Sequence, residues 1–316
     1  MATHRFQPMT YYNTIGSHEP ALRVADGDTV ITTTADAGGW GEHGERVARG
    51  GNPQSGPFFV EGAEPGDTLV VEIVRLTPNR DTGFTATVVS ANVVDPHHAR
   101  DLPPQALAVW RIDRENRTVA LADPSVRGHG DRGIMPPEAL RDLVLPLVPM
   151  VGCFGVAPAG GEAISTATSA KHGGNMDYRG FTEGVTVYFP VAVPGALFHI
   201  GDGHALQGDG EIVGTGIETS FEMEVVLRVQ KGREITWPRG ENAESIFTVG
   251  NARPLDQAVQ HATSEMLRWL GEEYGLDATA ASLLMGQTVE YDLGNIFDPA
   301  YTMVCKMPKR WLNRKS

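Results

Sequence analysis

Short apolar runs separated by glycine- and proline-rich turns dominate the chain. Runs at 29–34, 68–74, 106–112, 117–122, 185–189 and 221–229 have the length and composition of strands. In the last of these, Phe221, Met223, Val225, Leu227 and Val229 fall on one face and Glu222 and Glu224 on the other, the period-two pattern of a half-buried strand. Two strand entries share a Gly-Asp-Thr turn, at 27–29 and 66–68, where glycine permits a left-handed dihedral and aspartate accepts a backbone hydrogen bond. Helical spacing is confined to the C-terminal part. Leu255, Val259, Ala262, Met266, Leu270 and Tyr274 recur behind Pro254, which suits a first helical position, and Gly275 can end the helix. Asp277 can cap a second helix that carries Ala281, Leu284 and Met285 and stops at Gly286. The pattern predicts a mainly β body, sandwich or barrel, with a small helical appendage. The polar, proline-rich stretches 95–104 and 124–137 read as surface loops.

Composition narrows the possibilities. The 37 glycines and 21 prolines follow no period, which excludes collagen-like and low-complexity chains and fits many tight turns. Hydrophobic residues at 41% and charged residues at 21% are those of a globular protein. The net charge of −13 is a poor footprint for nucleic acid or an anionic membrane. Two cysteines exclude a disulfide scaffold. The first residues lack the charged and apolar segments of a secretory signal. The longest apolar stretch, 144–151, is broken by Pro146 and Pro149 and is too short to cross a bilayer. A soluble, cytoplasmic protein is the default expectation. The basic positions near the end, 306–311 and 314–316, read as a solvated terminus.

Two segments concentrate chemistry. In Lys171-His172-Gly173-Gly174-Asn175-Met176-Asp177, Asn175 and Asp177 alternate, so a strand would turn both to one side. In Gly201-Asp202-Gly203-His204-Ala205-Leu206-Gln207-Gly208-Asp209-Gly210-Glu211, Asp202 and His204 alternate likewise, and the Gly-Asp-Gly turn can fold Glu211 back. Carboxylate oxygen and imidazole nitrogen suit Zn²⁺ or another first-row divalent ion. Glu211 could serve as general base or as a further ligand. The same strings also resemble plain hairpin turns. His199 breaks the alternation and reads as a rim or core residue, and His97 and His98 as surface residues. Cys153 and Cys305 have apolar neighbours, as buried structural thiols do. Ser165 and Ser169 lie near Lys171, a hint of Ser–Lys chemistry without the elbow motif of serine hydrolases.

At these residues the chain resembles the acetamidase/formamidase family of amide hydrolases. The resemblance begins at 24–36, runs through Asn52-Pro53-Gln54-Ser55-Gly56-Pro57-Phe58-Phe59-Val60-Glu61-Gly62 and Pro149-Met150-Val151-Gly152, and ends at Met307-Pro308-Lys309. Its most specific parts are Gly173–Asp177 and Gly201–Glu211. It implies two sandwich-like β units, about 1–145 and 146–250, with a C-terminal α/β element over 251–316. It also implies hydrolysis of short linear amides to carboxylate and ammonia, a homo-oligomer, and a divalent metal, with Zn expected and Ca or another divalent ion as alternatives. Asp36, Asp177, Asp202 and His204 would surround the metal. Glu211 would act as base, and Asn175 or the backbone near Gly173 and Gly174 as oxyanion donor. Cys153 and Phe154 depart from the family pattern, and the charged stretch 40–50 stands where substrate could enter. Two other functions stay open at this stage: a non-catalytic small-ligand or metal-binding β module, and a metal-free amidase using Cys153 or Ser169.

Overall fold

The computed structural model describes residues 1–125 and 133–312. The middle of the predicted loop 124–137 and the terminal basic residues 314–316 lie outside the described residues. Two large sheets build the body. The first runs, strand by neighbouring strand, through Thr3–Phe6, Thr29–Thr33, Phe221–Gln230, Thr68–Pro78, Thr186–Pro190, Arg239–Glu241, Ser245–Ala252, Tyr301–Pro308 and Glu290–Asn295. The second runs through Val144–Pro146, Thr118–Ala122, Leu107–Asp113, Thr82–Ala86, Glu218–Thr219, Phe198–His204, Met150–Gly155, Gly173–Asn175 and Ser169–Ala170. Ser55–Val60 and Leu22–Val24 branch from its Phe198–His204 strand. Each sheet takes strands from both sides of residue 145, so the two β layers are not successive segments of the chain.

One apolar core joins the sheets. Leu69, Val71, Phe221, Met223, Val225 and Leu227 of the first meet Phe58, Val151, Phe154, Phe198 and Ile200 of the second. The predicted alternation is kept: Phe221, Met223, Val225 and Leu227 are fully buried, while Glu222 and Glu224 on the other face pair with Arg75. Helices α1 (Leu255–Tyr274) and α2 (Ala278–Thr288) cover the outer side of the first sheet. Ala262, Met266, Trp269 and Leu270 pack there on Ile246, Cys305 and Met307. Gly250 allows this approach, because a Cβ at that position would stand 2.0 Å from the Ala258 carbonyl oxygen. Two details differ from the sequence pattern. Pro254 is the cap just outside α1, and α2 runs through Gly286 to Thr288, since Met285 packing outweighs the roughly 1 kcal/mol that a helical glycine costs.

Two buried histidines give the fold an acid weakness. His199 is a core residue whose ring meets the Gly16 carbonyl, and burial pushes it down to about 3. Neither ring nitrogen of His172 has a hydrogen-bond partner among the described residues, and burial pushes it down to about 4. Both are neutral in the fold, whereas the unfolded chain takes up their protons below the ordinary imidazole value of 6.5. Stability therefore falls as pH drops from there toward those lower values, by on the order of 3 kcal/mol for His172. Urea unfolding at pH 7 and pH 5 should show the loss, and His172→Phe should narrow the gap; an unchanged gap would remove His172 as its source.

Candidate functional site

The site forms where the second sheet is most closely packed. Strand Met150–Gly155 lies between Phe198–His204 and Gly173–Asn175, with Met150 opposite His204 and Cys153 opposite both Gly201 and Asn175. On the other side of Phe198–His204, Glu218 stands opposite His204. Backbone strain collects here. Asn52, Asp177, Asp202 and Glu211 all adopt left-handed dihedrals, with φ of 64°, 41°, 59° and 48°. Such conformations cost non-glycine residues about 1–3 kcal/mol each and concentrate at functional sites. The predicted pairs do come together, but not through simple strand alternation. The strand ends at Asn175 and a left-handed turn re-aims Asp177, while Asp202 is itself left-handed within its strand.

Two overlapping groups share His204. Asp177, His204 and Glu211 offer ligand atoms within 4.8 Å of one another, as do Asp202, His204 and Glu218. His204 Nε2 lies 2.9 Å from Glu218 Oε1 and 3.4 Å from Asp202 Oδ1, close enough for charge pairing but off the angle of a hydrogen bond. Asp177 Oδ1, His204 Nε2 and Glu218 Oε2 are buried with no hydrogen-bond partner among the described residues. Gly152 faces the same space. A Cβ on it would stand 2.4 Å from Asp177 Oδ1, 2.7 Å from Asp202 Oδ2 and 3.1 Å from His204 Cε1.

Amide side chains frame the acids. Asn295 Nδ2 donates toward Asp177 Oδ2 at 2.7 Å, Asp298 Oδ2 at 2.8 Å and Glu211 Oε2 at 2.9 Å, more acceptors than its two hydrogens can serve at once. Asn52 Nδ2 donates to Asp202 Oδ2 at 2.9 Å and to Asn175 Oδ1 at 2.6 Å. Asn175 in turn donates to Asp298 Oδ2 at 2.5 Å. Asn175 is thus committed to the acidic frame, and Gly173 and Gly174 are ladder residues that let strands and the His172 ring come close. Asn295 ends the strand Glu290–Asn295 and Asp298 lies in the turn that follows it, which makes the predicted C-terminal element part of the site.

The acids crowd one another's charge. Burial, then Asp202 and Asp298, pushes Asp177 far above the ordinary carboxylate range, and burial and Asp177 do the same to Glu211. Burial raises Glu218 and Asp298 to about 7 each. Burial alone would lower His204, but Glu218 and Asp202 outweigh it and hold the imidazole well above its usual value. These carboxyl groups around one imidazole either take up protons or stay charged together with a cation among them. The unpartnered atoms, the bare Gly152 and the oxygen–nitrogen donor set fit a divalent metal ion.

The remaining candidates have other roles. Asp36 is fully buried but turns to Arg80, with Nη2 2.5 Å from Oδ2, and its other oxygen accepts from the Trp40 amide. Arg80 also donates to the carbonyls of Gly41 and Thr82, so the pair ties down the start of the 40–50 stretch. Arg80→Met should cost about 3–5 kcal/mol, because it leaves a buried carboxylate without its cation. Urea denaturation measures this, and a loss below about 1 kcal/mol would contradict the role. Cys153 lies at the site, yet burial and then Asp202 push its thiol far up, which disfavours a thiolate. Ser169 is buried, while Lys171 is exposed with its ammonium over the Trp237 ring.

A mainly β sandwich with a buried acid–imidazole centre framed by amides is the class that fold and site define. The chain belongs to the acetamidase/formamidase family, whose model matches residues 48–161 and 155–291. It is 29% identical over 239 residues to an acetamidase of Mycolicibacterium smegmatis, covering 64% of this chain and 58% of that protein. The chain spans about half the length of the curated relatives it matches. A predicted acetamidase/formamidase from Thermoanaerobacter tengcongensis superposes with a TM-score of 0.81 at 29% identity, over 98% of this chain and 96% of that one. An acetamidase from Yersinia enterocolitica gives 0.82 at 29% identity, over 98% and 93%. No described helix is long and apolar enough to cross a membrane.

Proposed function

We propose that the chain hydrolyses short linear amides such as formamide and acetamide to a carboxylate and ammonia, with a divalent ion, zinc first, held in the acidic cluster. The observation that carries this is the convergence of Asp177, Asp202 and His204 beside Gly152, with Asp177 Oδ1 and His204 Nε2 buried and unpartnered among the described residues. Family membership supports the amide as substrate class. Asp177, Asp202 and His204 would hold the ion, with Glu218 beside them. Such an ion, when bound, polarises an amide carbonyl and acidifies water.

The chain's own groups do the rest. Asn295 steadies Glu211 through Oε2, and the carboxylate can take a proton from attacking water at Oε1 and return it to the leaving nitrogen. Asn52 and Asn295 keep Asp202 and Asp177 in their unusual orientations. The acids are at most 8% exposed, and this deep burial favours small substrates over bulky ones. Ammonia release should be measured over formamide, acetamide, propionamide and larger amides, with metal content determined on the same sample. Turnover should fall steeply with acyl length and disappear after chelation. Flat results for every amide in a folded, metal-loaded sample would sink the proposal.

A further inference from the structure

His204 reaches the cluster with only one ring nitrogen, and the structure shows what occupies the other. Gln207, three residues on and 6% exposed, donates from Nε2 to the Asp177 carbonyl oxygen at 2.5 Å. A carbonyl oxygen can only accept, so the amide NH₂ of Gln207 is fixed on that side and its Oε1 must face the ring. Oε1 lies 2.8 Å from His204 Nδ1, which therefore carries the proton and donates it. Gly216 closes the back of the ring: a Cβ there would stand 2.4 Å from Nδ1 and 2.5 Å from Cγ. The imidazole can neither rotate nor exchange its two nitrogens without breaking these contacts.

We propose that Gln207 is a positioning residue that keeps a proton on His204 Nδ1, so that Nε2 is the nitrogen left to give up its proton and turn a lone pair to an ion bound among Asp177, Asp202 and Glu218. The same amide ties the His204 ring to the backbone of Asp177, coupling two ligating side chains that are 27 residues apart in sequence. The inference rests on the metal reading above. Partners of this kind, which orient a ligating histidine through its other nitrogen, typically change metal affinity about 10–100-fold.

Zinc alone is the probe, titrated into the chelator-stripped full chain against a chromophoric competitor. Gln207→Met, which keeps the volume but neither hydrogen bond, should weaken zinc binding about 10–100-fold. Gln207→Glu keeps an acceptor for Nδ1 but sets a carboxylate oxygen against the Asp177 carbonyl, so its loss should be clearly smaller than that of Gln207→Met by the same orientation argument. Both variants should match the wild-type circular dichroism. Wild-type affinity in Gln207→Met, or equal losses in the two variants, would overturn the role. A second readout does not need zinc: ¹⁵N-edited spectra of the stripped protein should show a slowly exchanging His204 Nδ1 proton that vanishes in Gln207→Met. If wild type binds no zinc, the metal reading fails while this signal still decides Gln207; a proton rapidly exchanging in both proteins, or retained in both, overturns the inference.

Discussion

Glu211→Gln should lower the turnover of amide hydrolysis by about 10²–10⁴-fold and leave bound metal near the wild-type level. The amide keeps the shape of the side chain and can still meet Asn295, which holds Oε2 at 2.9 Å, but it cannot accept and return a proton. Because the Asp177–His204–Glu211 group also has ligand spacing, the two outcomes separate cleanly. Metal lost together with turnover would make Glu211 a ligand and move the proton step elsewhere. Turnover within about tenfold of wild type would remove Glu211 from the mechanism altogether.

The second large effect is expected from a single methyl group. Gly152→Ala puts a carbon into the space where Asp177, Asp202 and His204 converge, at distances of 2.4, 2.7 and 3.1 Å from their nearest atoms. Metal content and ammonia release should both fall to background, with an overpacking cost of about 1–3 kcal/mol. Gly240→Ala is the control. Its Cβ would strike the Phe247 ring at 2.3 Å in the other sheet, so it should cost comparable stability and spare turnover. Normal metal binding in Gly152→Ala would mean that the ion sits elsewhere. Equal loss of activity in both variants would mean that the effect is only one of folding.

The strands are readable in the sequence where burial is one-sided. The stretch 221–229 alternates because one face meets the core and the other water, and it is the strand Phe221–Gln230. The helices are readable because α1 carries a continuous apolar stripe. Asp177, Asp202, His204 and Glu211 are readable because each sits in a glycine-rich motif that lets the backbone turn sharply. Glu218, Asn295, Asp298 and the bonding role of Asn52 are not readable in this way. Register and turns bring them in over separations as long as 150 residues, and neither leaves a mark in local composition. The left-handed dihedrals of the acids are only faintly signalled, since Asp favours a positive φ more than most residues but usually lies elsewhere, and Glu does not favour it. Asp36 shows the converse case, an acid in a motif whose partner, Arg80, lies on another stretch of the chain.

Asn295, at the end of strand Glu290–Asn295, and Asp298, in the turn that follows, tie the acidic frame to a hairpin remote in sequence from the other acids. A nascent chain halted before residue 290 would already carry Asp177, Asp202, His204 and Glu211, but not the amide that spaces three of the carboxyls. Its acids would repel one another and splay. The hairpin is thus a clasp: strip it away and the three carboxyls lose the one amide that they share.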